Sequence, residues 1–208
     1  NEYIFHKLLK VEGFLSLRFN FIEVNLNGNE LGVYAIEESM DKILVENNNY
    51  REGPILKFND DFNWRALQDN SFNRNENFVK SEIEVFQKFD SKDDKDKIKN
   101  FLVSKDLINS FRSDSLIASD VFNILKLAKL FAITELFGFH HATAFQNIRF
   151  YYNPVIAKLE PVGYDQSVIH DIKESGLYVE NIGNQNFETL WSKIFQDKKF
   201  IKEYYLSL

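Results

Sequence analysis

The chain has 208 residues, 44% of them hydrophobic, with 21 Phe, 9 Tyr, 3 Pro and no Cys, enough apolar material for a buried aromatic core and too much for disorder. A formal charge of −6 leaves no overall basic footprint for nucleic acid or an anionic membrane surface. The lack of cysteine excludes disulfides, thiolate metal sites and cysteine nucleophiles, and no run reaches the roughly 18 apolar residues of a membrane span.

Residues 1–10 (NEYIFHKLLK) predict an amphipathic helix with Ile4, Phe5, Leu8 and Leu9 on one face, ended by Gly13. They lack a signal peptide's apolar core and begin without Met, so the expectation is a piece excised from something longer. Next, Leu17, Phe19 and Phe21 alternate with Arg18, Asn20 and Ile22, and Asn27-Gly28 turns this run into LGVYAIEE, a hairpin signal. SMDKILVEN predicts a short helix capped by Ser39, and GPILKFND a third strand of the same small antiparallel sheet. From Asp61 to about Ser115 the chain is polar and Asn-rich, with helices predicted in ENFVKSEIEVFQKF and DKIKNFLVSKDLINSF. The intervening DSKDDKDKIK holds four Asp and four Lys in ten residues; its lysines compete for the carboxylates and a calcium loop's Asp-x-Asp-x-Asp-Gly order is missing, so it reads as a solvated helix start. SDVFNILKLAKLFAITELFGF predicts the longest helix, with Phe122, Leu125, Phe131 and Leu136 among its apolar positions. In QNIRFYYNPVIAKLEPVGYDQS, Ile148, Phe150 and Tyr152 alternate with Arg149 and Tyr151 and Asn153-Pro154 supplies a turn, a second hairpin that brings Asn147 and Asp165 together at its open end. NFETLWSKIFQDKKFIKEYYLSL predicts two short helices.

Four groups of residues have chemistry to offer. Strand parity points Lys57 away from Leu56 and Phe58, where it serves either as a phosphate anchor or as an ordinary solvent-facing lysine. Glu37 and Glu38 close the preceding strand on opposite faces, suited to orienting a lysine or to plain cross-strand attraction. His140 and His141, between helix and hairpin, suit a base, a proton shuttle or a hydrogen-bonded linker, and no third histidine or carboxylate stands at zinc spacing from them. Asn147 with Asp165 is a hard oxygen pair of the kind Mg²⁺ takes, and both are also common turn residues.

In order and at these spacings, HKLLKVEG, VNLNGNELGVYAIEE, SMDKILVENNNYREGPILKF and GFHHATAFQNIRFYYNP followed by KLEPVGYD resemble the spore coat protein H (CotH) kinase family of atypical protein kinases, in particular its bacterial surface-protein branch, over about residues 1–170. The resemblance implies an α+β, atypical protein-kinase-like fold in one domain: a lobe of small antiparallel sheet and helix (1–60), then a mainly helical lobe (61–208) carrying a catalytic hairpin (147–165), with sheet and nucleotide-loop elements missing upstream. It implies Mg²⁺ and ATP as cofactors, a protein Ser or Thr as acceptor and an exported or cell-surface setting. Lys57 resembles the phosphate-anchoring lysine, Glu38 or Glu37 the carboxylate orienting it, Asn147 the catalytic-loop asparagine and Asp165 the metal-binding aspartate. Where the family places a catalytic aspartate and a histidine, this chain has Ala142 and Gln146, so His141 is the expected base and Glu135 the alternative. Two further readings are a catalytically degenerate surface binding or assembly module, and a metal-assisted phosphoester hydrolase using His141, which lacks a visible second carboxylate for a two-metal site.

Overall fold

A computed structural model describes residues 2–68, 74–86, 95–138, 140–166, 178–181 and 189–208. Helix α1 (Glu2–Val11) buries Phe5, His6 and Leu9 and leaves Ile4 exposed. Strands β1 (Phe19–Leu26) and β2 (Asn29–Glu37) pair antiparallel around Asn27 and Gly28, whose φ angles of 53° and 83° are the left-handed pair that an Asn-Gly turn supplies. Alternation in β1 suggests a half-buried strand, yet Phe21, Val33, Tyr34 and Ile36 are exposed on this hairpin. Helix α2 (Lys42–Asn47) is capped by Asp41 rather than Ser39: Asp41 Oδ1 accepts the amides of Ile43 and Leu44 at 2.8 and 3.2 Å. Only the residue at the cap itself reaches those amides, and a carboxylate there also suits the helix dipole.

Strand β3 (Ile55–Phe58) does not extend the first hairpin. It lies between β4 (Ile83–Val85) and β5 (Arg149–Asn153), and β6 (Lys158–Val162) completes a second antiparallel sheet in the order β4-β3-β5-β6. The expected division at residue 60 is therefore corrected, because a strand from the first part is an inner strand of a sheet built mostly by the second. Ile55, Leu56 and Phe58 are all buried, and a strand apolar on both faces needs cover on both. Residues 83–85, expected in a helix, form a strand because Ile83 and Val85 flank Glu84 with period 2 and dock on β3.

The intervening helices are α3 (Asp61–Gln68), α4 (Arg74–Lys80) and α5 (Lys95–Arg112), the last beginning within the charged run, whose residues 90–94 lie outside the described residues. The predicted long helix is split into α6 (Ala118–Val121) and α7 (Ile124–Leu136). Phe122 leaves the helix to bridge Leu159, and Asn123 caps the next start. Of the apolar positions expected there, Phe122 and Phe131 enter the core, whereas Leu125 and Leu136 are exposed. Helices α8 (Thr189–Ile194) and α9 (Lys198–Ser207) fall where two short helices are predicted.

The second sheet has two covered faces. Leu56, Phe58, Phe150, Tyr152 and Leu159 join Phe78, Phe111, Phe122 and Phe131 in the main aromatic core; Ile55, Tyr151 and Val162 pack against Leu15, Leu17, Met40 and Leu44. Buried Glu160 on β6 accepts from Lys126 Nζ at 2.6 Å, Asn123 Nδ2 at 3.1 Å and Asn153 Nδ2 at 3.0 Å, which fastens the start of α7 to the hairpin. Just beyond β6, a Cβ on Gly163 would lie 2.2 Å from Leu9 Cδ1 and 2.8 Å from Phe5 Cε1.

Two stability tests follow from this packing. Gly163→Ala is expected to cost about 1–3 kcal/mol in urea unfolding, since Phe5 and Leu9 are buried and have no room to move aside. Lys126→Met, which strands the Glu160 charge among neutral partners, is expected to cost on the order of 3 kcal/mol in the same measurement.

Candidate functional site

The hairpin β5–β6 places its turn at the far end, where Asn153 Oδ1 accepts the Val155 amide at 3.0 Å and Ala157 takes φ 50°. At the open end, a single 3-10 turn (His141–Thr143) precedes β5, and Gly163, Tyr164 and Asp165 follow β6. Asp165 has φ 50°, a left-handed conformation that Asp and Asn tolerate better than most residues. His141 Nε2 lies 3.2 Å from Asp165 Oδ2, and Asn147 Nδ2 donates to the His141 carbonyl at 3.2 Å. Three of the predicted site residues thus meet, with His141 as the common member. An Nε2–H facing the carboxylate leaves Nδ1 as the ring's acceptor.

The neighbouring histidine has a different place. His140 stacks on Tyr178 at 3.8 Å between ring centroids and stands edge-on to Trp191 at 5.8 Å. Burial lowers its pKa to about 4. Ala142, where the resemblance leads one to expect a catalytic aspartate, is fully buried in the main core. Glu135, the alternative base, accepts the Tyr178 amide and the Tyr204 hydroxyl, a tether between α7 and α9. The carboxylate placed beside His141 is that of Asp165, not Glu135.

Lys57 shares a sheet face with Ile55, Tyr151 and Arg149, as the pairing of Ile55 with Tyr151 requires. Its Nζ is 3.2 Å from Oε2 of its cross-strand neighbour Glu84, whose Oε1 accepts Asn59 Nδ2 at 2.8 Å. The expected partners are engaged elsewhere. Glu38 takes Arg18 NH2 at 2.6 Å, the Arg18 amide at 3.0 Å and Asn47 Nδ2 at 3.0 Å, while Glu37 lies 3.8 Å from His6 Nε2. The assignment of Glu37 or Glu38 as the lysine's orienting carboxylate is corrected on geometry: Glu37 ends β2 and Glu38 follows it, whereas β3 belongs to another sheet.

Sequence reasoning missed two positioning residues. Buried Arg149 donates NH1 to the carbonyls of Gln146 and Ile148 at 2.7 and 3.3 Å, and its guanidinium lies 4.9 Å from the Tyr164 ring centroid. It ties together the chain on both sides of the hairpin. Its parity with Tyr151, on a strand buried on both faces, was the available signal. Glu2 accepts the Gln166 amide, which anchors the residue after Asp165 to the start of α1. Burial first, then repulsion from Asp165, raises the Glu2 pKa; burial, Glu2 and Asp165 raise that of Glu37 to about 6. Asp165 therefore has acidic neighbours in Glu2 and Glu37 and a cationic one in Arg149.

A family profile described as CotH kinase protein matches residues 1–208. The chain belongs to the CotH kinase family. No curated protein matches it. Membership of the CotH kinase family points to a kinase-like function, with a nucleotide and a substrate as its partners. The CotH chain is mixed α/β, with small antiparallel sheets and several helices. Among the described residues, no helix is long and apolar enough to cross a membrane.

His140 gives the site's linker a defined acid sensitivity. Its pKa falls from 6.5 to about 4 on folding, so its contribution is complete above pH 6.5 and is lost as pH falls through 4. His140→Phe keeps the ring stack without the titration. On going from pH 7 to pH 4 the parent is expected to lose about 2–3 kcal/mol more than this variant in denaturant unfolding.

Proposed function

We propose that this CotH kinase chain transfers the terminal phosphoryl group of Mg-ATP to a Ser or Thr hydroxyl of a protein. The observation that carries the reading is the meeting of Asn147, His141 and Asp165 at the open end of one hairpin. The donor set fits the ion, since an amide oxygen and a carboxylate are hard ligands that leave room for water and phosphate oxygens. Asn147 and Asp165 would hold Mg²⁺, which when bound neutralises charge on the phosphates.

The chain's own residues supply the rest. Asp165 fixes the His141 ring, and Nδ1 is the atom left to accept the proton of an acceptor hydroxyl. The Asn147 amide nitrogen is spent on the His141 carbonyl, which leaves its oxygen for the cation. Arg149 and Glu2 hold the segments bearing these groups, and Lys57 meets phosphate oxygens as a point charge in exchange for Glu84. The family likeness also supports an exported or cell-surface setting.

One observation favours a second reading, a degenerate surface binding or assembly module: Ala142 is buried where the family's pattern has its catalytic aspartate. Calorimetry with Mg-ATP and transfer of labelled γ-phosphate to Ser/Thr protein acceptors separate the two. His141→Ala and Asp165→Asn are each expected to reduce transfer at least about 100-fold, Lys57→Met to weaken ATP binding about tenfold, and Glu135→Gln to leave transfer unchanged. Nucleotide binding without transfer by the parent would select the second reading. Loss of transfer in Glu135→Gln with His141→Ala intact would reverse the assignment of the base.

A further inference from the structure

Glu2 and His6 stand one helical turn apart on α1 and project from the same side of it. Glu37 closes β2 against them. One carboxylate oxygen of each glutamate and a ring nitrogen of His6 all lie within 4.8 Å of one another, and His6 Nε2 is 3.8 Å from Glu37 Oε1. His6 is only 2% exposed, yet neither of its ring nitrogens has a hydrogen-bond partner. A buried donor or acceptor left idle in this way is uncommon in a native fold and asks for a partner. A proton does not answer that need at neutral pH, because burial lowers the His6 pKa to about 4. Among the described residues no lysine or arginine pairs with Glu2 or Glu37; Arg18 is held by Glu38, and Lys7 lies over the Tyr3 ring.

We propose that Glu2, His6 and Glu37 bind one divalent transition-metal ion of the Zn²⁺ or Mn²⁺ class. A neutral imidazole with two carboxylates is a borderline donor set that such ions accept, whereas Mg²⁺ and Ca²⁺ call for oxygen throughout. Ligands at roughly 2.0–2.2 Å from one ion sit about 3–3.6 Å apart, so the two glutamates need to close by about an ångström. Both are partly exposed side chains with that freedom, while the packed His6 ring is already fixed between Phe5 and Phe19. The ion fastens the first turn of α1 to the end of β2 and neutralises the acid pair beside Asp165. It is a site separate from Asn147 and Asp165 and needs no nucleotide.

Calorimetric titration of the chelator-stripped, nucleotide-free chain with ZnCl₂ tests this directly. A single site per chain is expected, with Glu2→Gln and Glu37→Gln each weakening Zn²⁺ binding at least about tenfold and Asp165→Asn changing it less than about threefold. Thermal melts without metal check that the variants fold. The absorption spectrum of the parent with Co²⁺ supplies an independent reading: intense visible bands of a low-coordinate site with a nitrogen ligand support the assignment, and the weak spectrum of hexa-aqua Co²⁺ overturns it. No Zn²⁺ binding up to about 100 μM, some hundredfold weaker than a useful micromolar site, would also overturn it. So would binding that Asp165→Asn or His141→Ala removes while both glutamine variants retain it.

Discussion

Backbone pairing of Ile55 and Leu56 with Tyr151 and Phe150 is the interaction on which the rest of the architecture depends. It joins segments nearly a hundred residues apart and makes β5 an inner strand, covered by the aromatic core on one face and by the smaller Leu15–Met40–Leu44 cluster on the other. With both faces covered, a slip of one residue would move Arg149 and Tyr151 into the aromatic core. The register is therefore strongly specified, and with it the direction from which the chain enters and leaves the hairpin.

The site inherits its precision from that strand. Arg149 is the first residue of β5, and its guanidinium reaches back to the carbonyls of Gln146 and Ile148 and across to the Tyr164 ring. Gly163 lets α1 approach the following segment without a side chain between them, and Glu2 holds the Gln166 amide. Asp165 sits between these two restraints in a left-handed conformation. Its contact with His141 is thus supported from the strand, from α1 and from the 3-10 turn, although its own carboxylate remains close to half exposed. That combination suits a group that must be both positioned and accessible to a ligand.

Electrostatics divides the neighbourhood into two kinds of carboxylate. Glu84, Glu38 and Glu160 are paired with Lys57, Arg18 and Lys126, and such charges are compensated within the fold. Burial is the main cost of ionising Glu2 and Glu37, and mutual repulsion with Asp165 adds to it. Arg149 is the cationic neighbour that Asp165 has there, and clustered carboxylates of this kind shift one another's titration.

Local chemistry alone determined a good deal. Asn27-Gly28 specifies its turn because both residues tolerate positive φ, the alternation from Ile148 to Tyr152 marks β5, and the quoted motifs identify the family. Asn147 and Asp165 were legible as the two ends of one hairpin, because a hairpin returns the chain to its starting edge; that His141 touches both was not. What stayed hidden was which strand pairs with which, and hence which charge meets which. Glu38 precedes Lys57 by 19 positions and looked like its partner, but β3 left the first hairpin for β4 and β5, so Glu84 took that place. Likewise His6 reads as a polar position on an amphipathic helix until the approach of β2 and the Phe19 ring buries it. Sequence periodicity encodes which side of an element is apolar; only the tertiary structure decides what covers that side, because burial and pairing depend on distant segments competing for the same surface.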